Sequence, residues 1–295
     1  MKKKENMSGA QGVKQNRLKE FWKQYSRNKG AVIGLIVLVL IVLVAIFADV
    51  IWDYETQVIG MNAKDRLMKP CAEHPLGTDN YGRDMLARIG YGTRYSVFMG
   101  VLAVCLGSVI GIPLGAIAGY AGGKVDSIIM RCVDTFAIIP TMMMAILVVT
   151  VLGGGVGNLV VALSVGTIPT MVRITRASVM MVRNNEYIEA ARAIGAPTHK
   201  IIIKHILPNC FSPILVQATL RVGITITSTA GLSYVGLGVP IPLPEWGALL
   251  SYSKSYLIEA PHMLFFPGLA LIITVMMINL VGDGVRTALD PKLKR

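Results

Sequence analysis

Charged side chains are scarce in this chain, at 16% of its 295 residues, where soluble domains carry about a quarter. Cysteine is nearly absent as well. Cys105, Cys132 and Cys210 lie in or beside apolar runs and Cys71 stands alone in a polar loop, so no disulfide framework is expected. The histidines, His74, His199, His205 and His262, are scattered with no pair at metal-ligand spacing, and no metal site is expected. The run Met142–Met144 offers soft sulfur, but consecutive residues spread around a helix and cannot share one ion, so flexible packing is the expected role. Gly123-Lys124 has the look of a phosphate loop. The places that need Gly before it and Ser or Thr after it hold Ala118 and Val125, which removes an ATP site. No catalytic residue, bound cofactor or enzyme activity is expected of this chain.

What the chain has is oil. Hydrophobic residues reach 53% and the mean hydropathy is +0.58. Apolar runs near 20 residues recur, each long enough to cross a hydrocarbon layer of roughly 30 Å as a helix. The expected class is therefore an all-α, polytopic membrane protein with six transmembrane helices, at about 30–52, 95–118, 132–152, 158–180, 211–236 and 263–281. The first run follows a basic tail but is too long for a signal-peptide core and lacks a small-residue cleavage site, so it reads as a retained span. Pro113, Pro140, Pro169 and Pro213 interrupt the spans, as do Gly107, Gly111, Gly115 and Gly223. Small residues let helices approach closely in lipid and neighbours satisfy the backbone groups that proline frees, so a bent, close-packed bundle around a pathway is expected over a static scaffold.

The net charge of +12 raises the question of nucleic acid, and its distribution answers it. Basic residues concentrate in the first 30 residues, in 119–131, in 173–209 and after Gly282, whereas the intervening loops are poor in them. Alternation of this kind follows the positive-inside bias of cytoplasmic loops, not the single basic face of a nucleic-acid binder. The expected organisation is a cytoplasmic basic tail (1–29), a first transmembrane helix (30–52) and an extracytoplasmic loop (53–94). A five-helix core (95–283) with a cytoplasmic loop at 184–209 and a cytoplasmic tail (284–295) containing Lys292, Lys294 and Arg295 complete it. In the outer loop, Thr78 or Asp79 is expected to cap a short surface helix with Met85, Leu86 and Ile89 on its apolar face.

The stretch "NNEYIEAARAIGAPTHKIIIKHILPN" (184–209) is charged and punctuated between two apolar spans. Residues 186–194 are expected to continue a helix leaving the membrane, with Gly195 at its C-terminal cap and Pro197 blocking extension. A second helix is expected from Pro197 to Leu207, ended by Pro208. Ile201, Ile202, Ile206 and Leu207 would pack on the bundle, with Lys200, Lys204 and His205 facing water or lipid headgroups. Small side chains at Ala190, Ala191 and Ala193 would let a partner's groove close on the backbone. The product is either a knob that passes movement from a partner to the spans or a solvated reversal.

This stretch resembles the Glu-Ala-Ala (EAA) motif of permease subunits in ABC importers. Glu189, Ala190, Ala191, Gly195, Leu207 and Pro208 match it, and His205 stands where the motif has Ile. "HPLGTDNYGRDMLARIGYGTR" (74–94), "LSYVGLGVPIPLPEWGALL" (232–250) and the segment 266–295 are similar to the second permease subunit of dipeptide, oligopeptide and nickel importers. The resemblance implies the type I ABC importer permease fold in a bacterial or archaeal inner membrane, with both termini cytoplasmic. It implies that Glu189–Pro208 docks on a cytoplasmic ATPase, and it implies a homologous second permease, two ATPases that bind the ATP, and an extracytoplasmic substrate-binding protein. The expected function is the membrane-spanning subunit of a binding-protein-dependent importer for short peptides, with nickel or another small solute as the alternative.

Residues on a substrate path are less defined. Arg221 lies well inside an apolar run, where a charge is costly and usually meets a wet cavity or a polar partner. It can meet a peptide carboxylate, pair with an acidic group of the partner permease, or reach back to the interface. Thr225, Thr227, Thr229 and Asn279 are further candidates, although helix hydroxyls often bond to their own backbone. The alternative of another class is a secondary transporter driven by an ion gradient. Such proteins bury acidic relays near the membrane centre, where this sequence has almost none.

Overall fold

A backbone surrounded by hydrocarbon must satisfy its own hydrogen bonds, so long apolar runs become helices. The computed structural model describes residues 17–240 and 242–289, and its regular elements are helical. In chain order they are α1 (Arg17–Tyr25), α2 (Lys29–Ile51), α3 (Met85–Ala121), α4 (Gly123–Ile138), α5 (Thr141–Leu152) and α6 (Val156–Val182). There follow α7 (Glu186–Ala193), α8 (Thr198–Ile201), α9 (Leu207–Tyr234), α10 (Trp246–Ser253) and α11 (His262–Leu289). Among the described residues, five helices are long and apolar enough to cross a membrane: α2, α3, α6, the continuous stretch Thr198–Tyr234, and α11. The pair α4–α5, bent by 85° at its break, makes a sixth span when the two helices are taken together.

Helices α3, α6, α9 and α11 build the centre. The most extensive contact joins α3 to α6, and glycines explain how close it is. Gly107, Gly111, Gly115 and Gly119 recur every four residues along one face of α3. A Cβ on Gly111 would lie 2.5 Å from Met171 Cβ, and one on Gly115 2.5 Å from the Val172 carbonyl oxygen. Outside this pair, α9 packs on both α3 and α6, and α2 leans on α11, where Gly34 faces the Met277 carbonyl. Asn28 caps α2 by accepting from Ala31 N–H at 3.1 Å.

The structure departs from sequence expectation in several elements outside 184–209. The segment expected as the span 132–152 is two helices: Ile139 and Pro140 adopt extended backbone, because the proline ring pushes its predecessor out of the helical region. The separate surface helix expected after Thr78 or Asp79 does not form, and the helical turns within 53–94 are short ones at Tyr54–Val58 and Ala63–Asp65. The helix that follows begins at Met85 and runs unbroken into the second span, capped by Asp84, which accepts from Ala87 N–H at 2.8 Å, and not by Thr78 or Asp79. Its apolar residues Met85 and Ile89 pack on Trp246, Leu249 and Met263, a protein partner that removes them from the membrane surface. Part of the expected basic tail 1–29 is helix α1, tied to the bundle by Tyr25, whose hydroxyl donates to the Ala31 carbonyl at 2.9 Å. Helix α11 continues to Leu289, into the expected tail 284–295; Lys292, Lys294 and Arg295 lie outside the described residues.

Candidate functional site

Between α6 and α9 the chain makes a knob at one end of the bundle. Helix α7 does not continue α6: Asn185 is extended (φ −73°, ψ 146°) and restarts the helix at Glu186, as suits a residue whose side chain competes for backbone bonds. Gly195 takes φ +78°, the left-handed region that glycine enters without penalty. No atom stands within 4 Å of a Cβ built on it, so conformation and not space requires glycine there. Pro197 then precedes α8.

The second arm does not stop at Pro208. Residues Ile202–Ile206 form a π turn in which Leu207 N–H reaches back to the Ile202 carbonyl, and α9 follows directly with Pro208 in its first turn. Proline lacks the N–H a regular helix needs, and the widened turn accommodates the missing bond and the ring. The knob is thereby continuous with the fifth span.

Burial divides the knob into two faces. Ile188, Ala191, Ile201 and Ile206 join Ala116, Val179, Cys210 and Ile214 in one core cluster, with Ile202 and Leu207 half-buried beside it. Glu189, Ala190, Gly195, Pro208, Lys200, Lys204 and His205 are exposed. So are apolar residues that nothing among the described residues covers: Ile194 is 83% exposed and Ile203 62%. The six motif residues therefore do not form one surface; Ala191 and Leu207 anchor, whereas Glu189, Ala190, Gly195 and Pro208 face outward.

Arginines bind the knob to the bundle, a feature that sequence reading missed because each partner is distant in the chain. Arg192 donates to the Tyr120 hydroxyl at 3.1 Å and lies over its ring. Arg183 donates to the Gly119 carbonyl at 2.9 Å. Helix α4 is clamped to α6 by Asp126–Arg176 (2.6 Å to Oδ2) and Asp134–Arg173 (2.8 Å).

The path candidates are split by the fold. Arg221 is half-buried and opens on a cavity of about 270 Å³ at the α4–α5 break, shared with Pro140, Thr141, Gly166, Pro169 and Arg173. Asn279 and Thr227 open on a different groove of about 470 Å³ between α9 and α11. Thr225 and Thr229 reach neither: they are 4% and 0% exposed. Their hydroxyls donate to the Arg221 and Thr225 carbonyls at 2.8 and 2.9 Å.

Residues 111–295 match the family model described as the binding-protein-dependent transport system inner membrane component. Residues 16–70 match that of the N-terminal transmembrane domain of oligopeptide transport permease C. The chain is 41% identical over 276 residues to a dipeptide transport system permease of Alkalihalophilus pseudofirmus, covering 94% of this chain and 90% of the relative. It is 41% identical over 278 residues to the oligopeptide transport system permease of Bacillus subtilis, covering 93% and 90%. A glutathione transport system permease of Pectobacterium atrosepticum is also 41% identical, over 277 residues, covering 94% and 91%. Among solved structures, an inward-facing methionine ABC transporter superposes with a TM-score of 0.59 at 23% identity, covering 70% of this chain and 98% of that one. That likeness carries the fold alone.

Proposed function

The chain belongs to the family of binding-protein-dependent inner-membrane transport permeases, and from that premise we propose that it is the second permease subunit of a peptide importer whose knob receives the movement of a cytoplasmic ATPase. It is a transport permease and not an enzyme. The peptide reading is supported by the names of its relatives, which are dipeptide, oligopeptide and glutathione permeases. ATP is used by partner subunits, two ATPases on the face where the knob projects. A homologous permease completes the path, and an extracytoplasmic binding protein delivers the solute. Both termini are cytoplasmic in this reading, which the concentration of arginines at the knob end of α6 supports.

The observation that carries the coupling role is the two-faced knob. One face is buried in the bundle's core cluster and the other exposes Glu189, Ala190 and Ile194 around the Gly195 turn. A unit fixed to α3, α6 and α9 cannot be pushed without moving those helices, because packed interiors are bistable and not softly deformable. Closure of the ATPases on ATP turns the cavity outward to accept solute, and hydrolysis resets it. Arg221 and Asn279, which open onto separate cavities, are the candidate path residues of this chain, whereas Thr225 and Thr229 are buried and bonded to their own helix.

The test is Glu189→Ala and Gly195→Trp in the assembled transporter. Both variants are expected to insert at normal levels while ATPase co-purification and ATP-driven uptake fall about ten-fold or more, the loss of roughly 1.4 kcal/mol of docking energy. Wild-type co-purification together with wild-type uptake would count against the coupling role.

A further inference from the structure

Arg221 is a mid-helix arginine held against a neighbouring helix. It lies midway along α9, between Leu207 and Tyr234, roughly 20 Å from either end at about 1.5 Å per residue. Its contact, the Gly166 carbonyl at 2.9 Å, lies in the middle of α6. A cation held there needs a compensating group, and the described residues provide no carboxylate: no ion pair includes Arg221. Arg173, which shares the cavity, is already paired to Asp134.

The cavity around Arg221 exists because the third span breaks. Pro140 and Thr141 form its wall, and Gly166 lets Thr141 approach α6, since a Cβ there would collide with Thr141 Cγ2. Helix α5 begins at this wall: its first regular bond runs from Met144 N–H to the Pro140 carbonyl, and no side chain caps the preceding turn. The unneutralised guanidinium is the principal recognition group, and the start of α5 adds a positive dipole end on the same side.

We propose that this cavity is an anion-recognition point in the translocation path, where Arg221 meets the free carboxylate of the transported solute. The proposal rests on the transport reading above and specifies its substrate class: solutes with a terminal carboxylate, of which a short peptide with a free C-terminus is the simplest. The guanidinium geometry suits a carboxylate, which can take two parallel N–H bonds. The interaction is transient: the positive wall draws the carboxylate off the binding protein and releases it when the inward state admits water.

The experiment uses the complete transporter in proteoliposomes, with peptides supplied on saturated binding protein so that its own selectivity does not enter. A dipeptide with a free C-terminal carboxylate is compared with its C-terminal amide. The unsubstituted transporter is expected to favour the acid. Arg221→Gln is expected to lower uptake of the acid by about 10–100-fold, the worth of a charge-assisted bond, and to change uptake of the amide by less than about two-fold. Arg221→Lys keeps the charge and is expected to retain the preference for the acid, which separates recognition from folding. Unchanged uptake of the acid in Arg221→Gln overturns the proposal. So do parallel losses for both peptides, and if the homologous partner permease then fails to co-purify, Arg221 is an inter-subunit ion-pair partner. ATP-driven uptake with equal preference for the two peptides in the unsubstituted protein overturns the site while leaving the transport reading intact. No ATP-driven uptake of either peptide by the unsubstituted transporter sinks both.

Discussion

Single residues set how the knob is held. Arg192 joins α7 to the end of α3 through Tyr120, by one hydrogen bond and a cation–π contact. At an exposed site such a contact stabilises by roughly 0.5–1 kcal/mol. Arg192→Ala is therefore expected to raise amide hydrogen exchange in α7 about two- to five-fold through easier local opening, with exchange in α9 unchanged. Equal exchange in α7 before and after substitution would show that the contact holds nothing. Of the residues in this region, Gly195 was legible in the sequence, because a glycine ahead of a proline at the end of a helical pattern marks a left-handed cap. Arg192, Arg183 and their partners were not, since Tyr120 and Gly119 lie far away in the chain and no local pattern brings them together.

At the scale of elements, close approach governs the α3–α6 pair. Gly111→Ala places a methyl group 2.5 Å from Met171 Cβ, an overpacking expected to cost about 1–3 kcal/mol and to lower the melting temperature of the purified subunit complex. The same change at Gly157 of α6 meets no atom within 4 Å and is expected to be neutral or to stabilise by up to about 1 kcal/mol through reduced backbone entropy. Similar melting temperatures for the two variants would rule out glycine-mediated contact as the cause of the close packing. The helices themselves were readable from hydropathy, which put each apolar span within a helical stretch, although the second helix begins at Met85, the third span is two helices from Gly123, and the helix of the fifth reaches back to Thr198. The bend in the third span, 85°, had a local cause in Pro140, whereas its seat against α6 has a distant one: Gly166 leaves room for Thr141 at the start of α5. Met85–Ile89 misread as a surface helix for a related reason: an amphipathic face does not say whether lipid or another helix covers it, and here α10 does.

For the whole molecule, the prediction concerns the energy source. Of the carboxylates in the spanning helices, Asp49, Asp126 and Asp134 each face an arginine and Asp283 lies near the end of α11, so among the described residues none stands unpaired at mid-helix, where an acidic relay would act. Uptake by the assembled transporter is expected to stop on ATP depletion and to continue within about two-fold when a protonophore collapses the gradient, since a subunit without a relay gains little from it. The reverse pattern would return the chain to the secondary transporters. Composition and apolar run length sufficed to make this a helical membrane protein, because bilayer thickness and backbone hydrogen bonding act on each segment independently of its neighbours. The short motif around Gly195 likewise declared itself locally. Only the tertiary structure decided that Arg221 faces a cavity while Thr225 and Thr229 turn inward, and that the knob's second arm flows through a π turn into α9. Those outcomes depend on which helix lies beside which, and contacts between distant segments leave no periodicity for a single sequence to display.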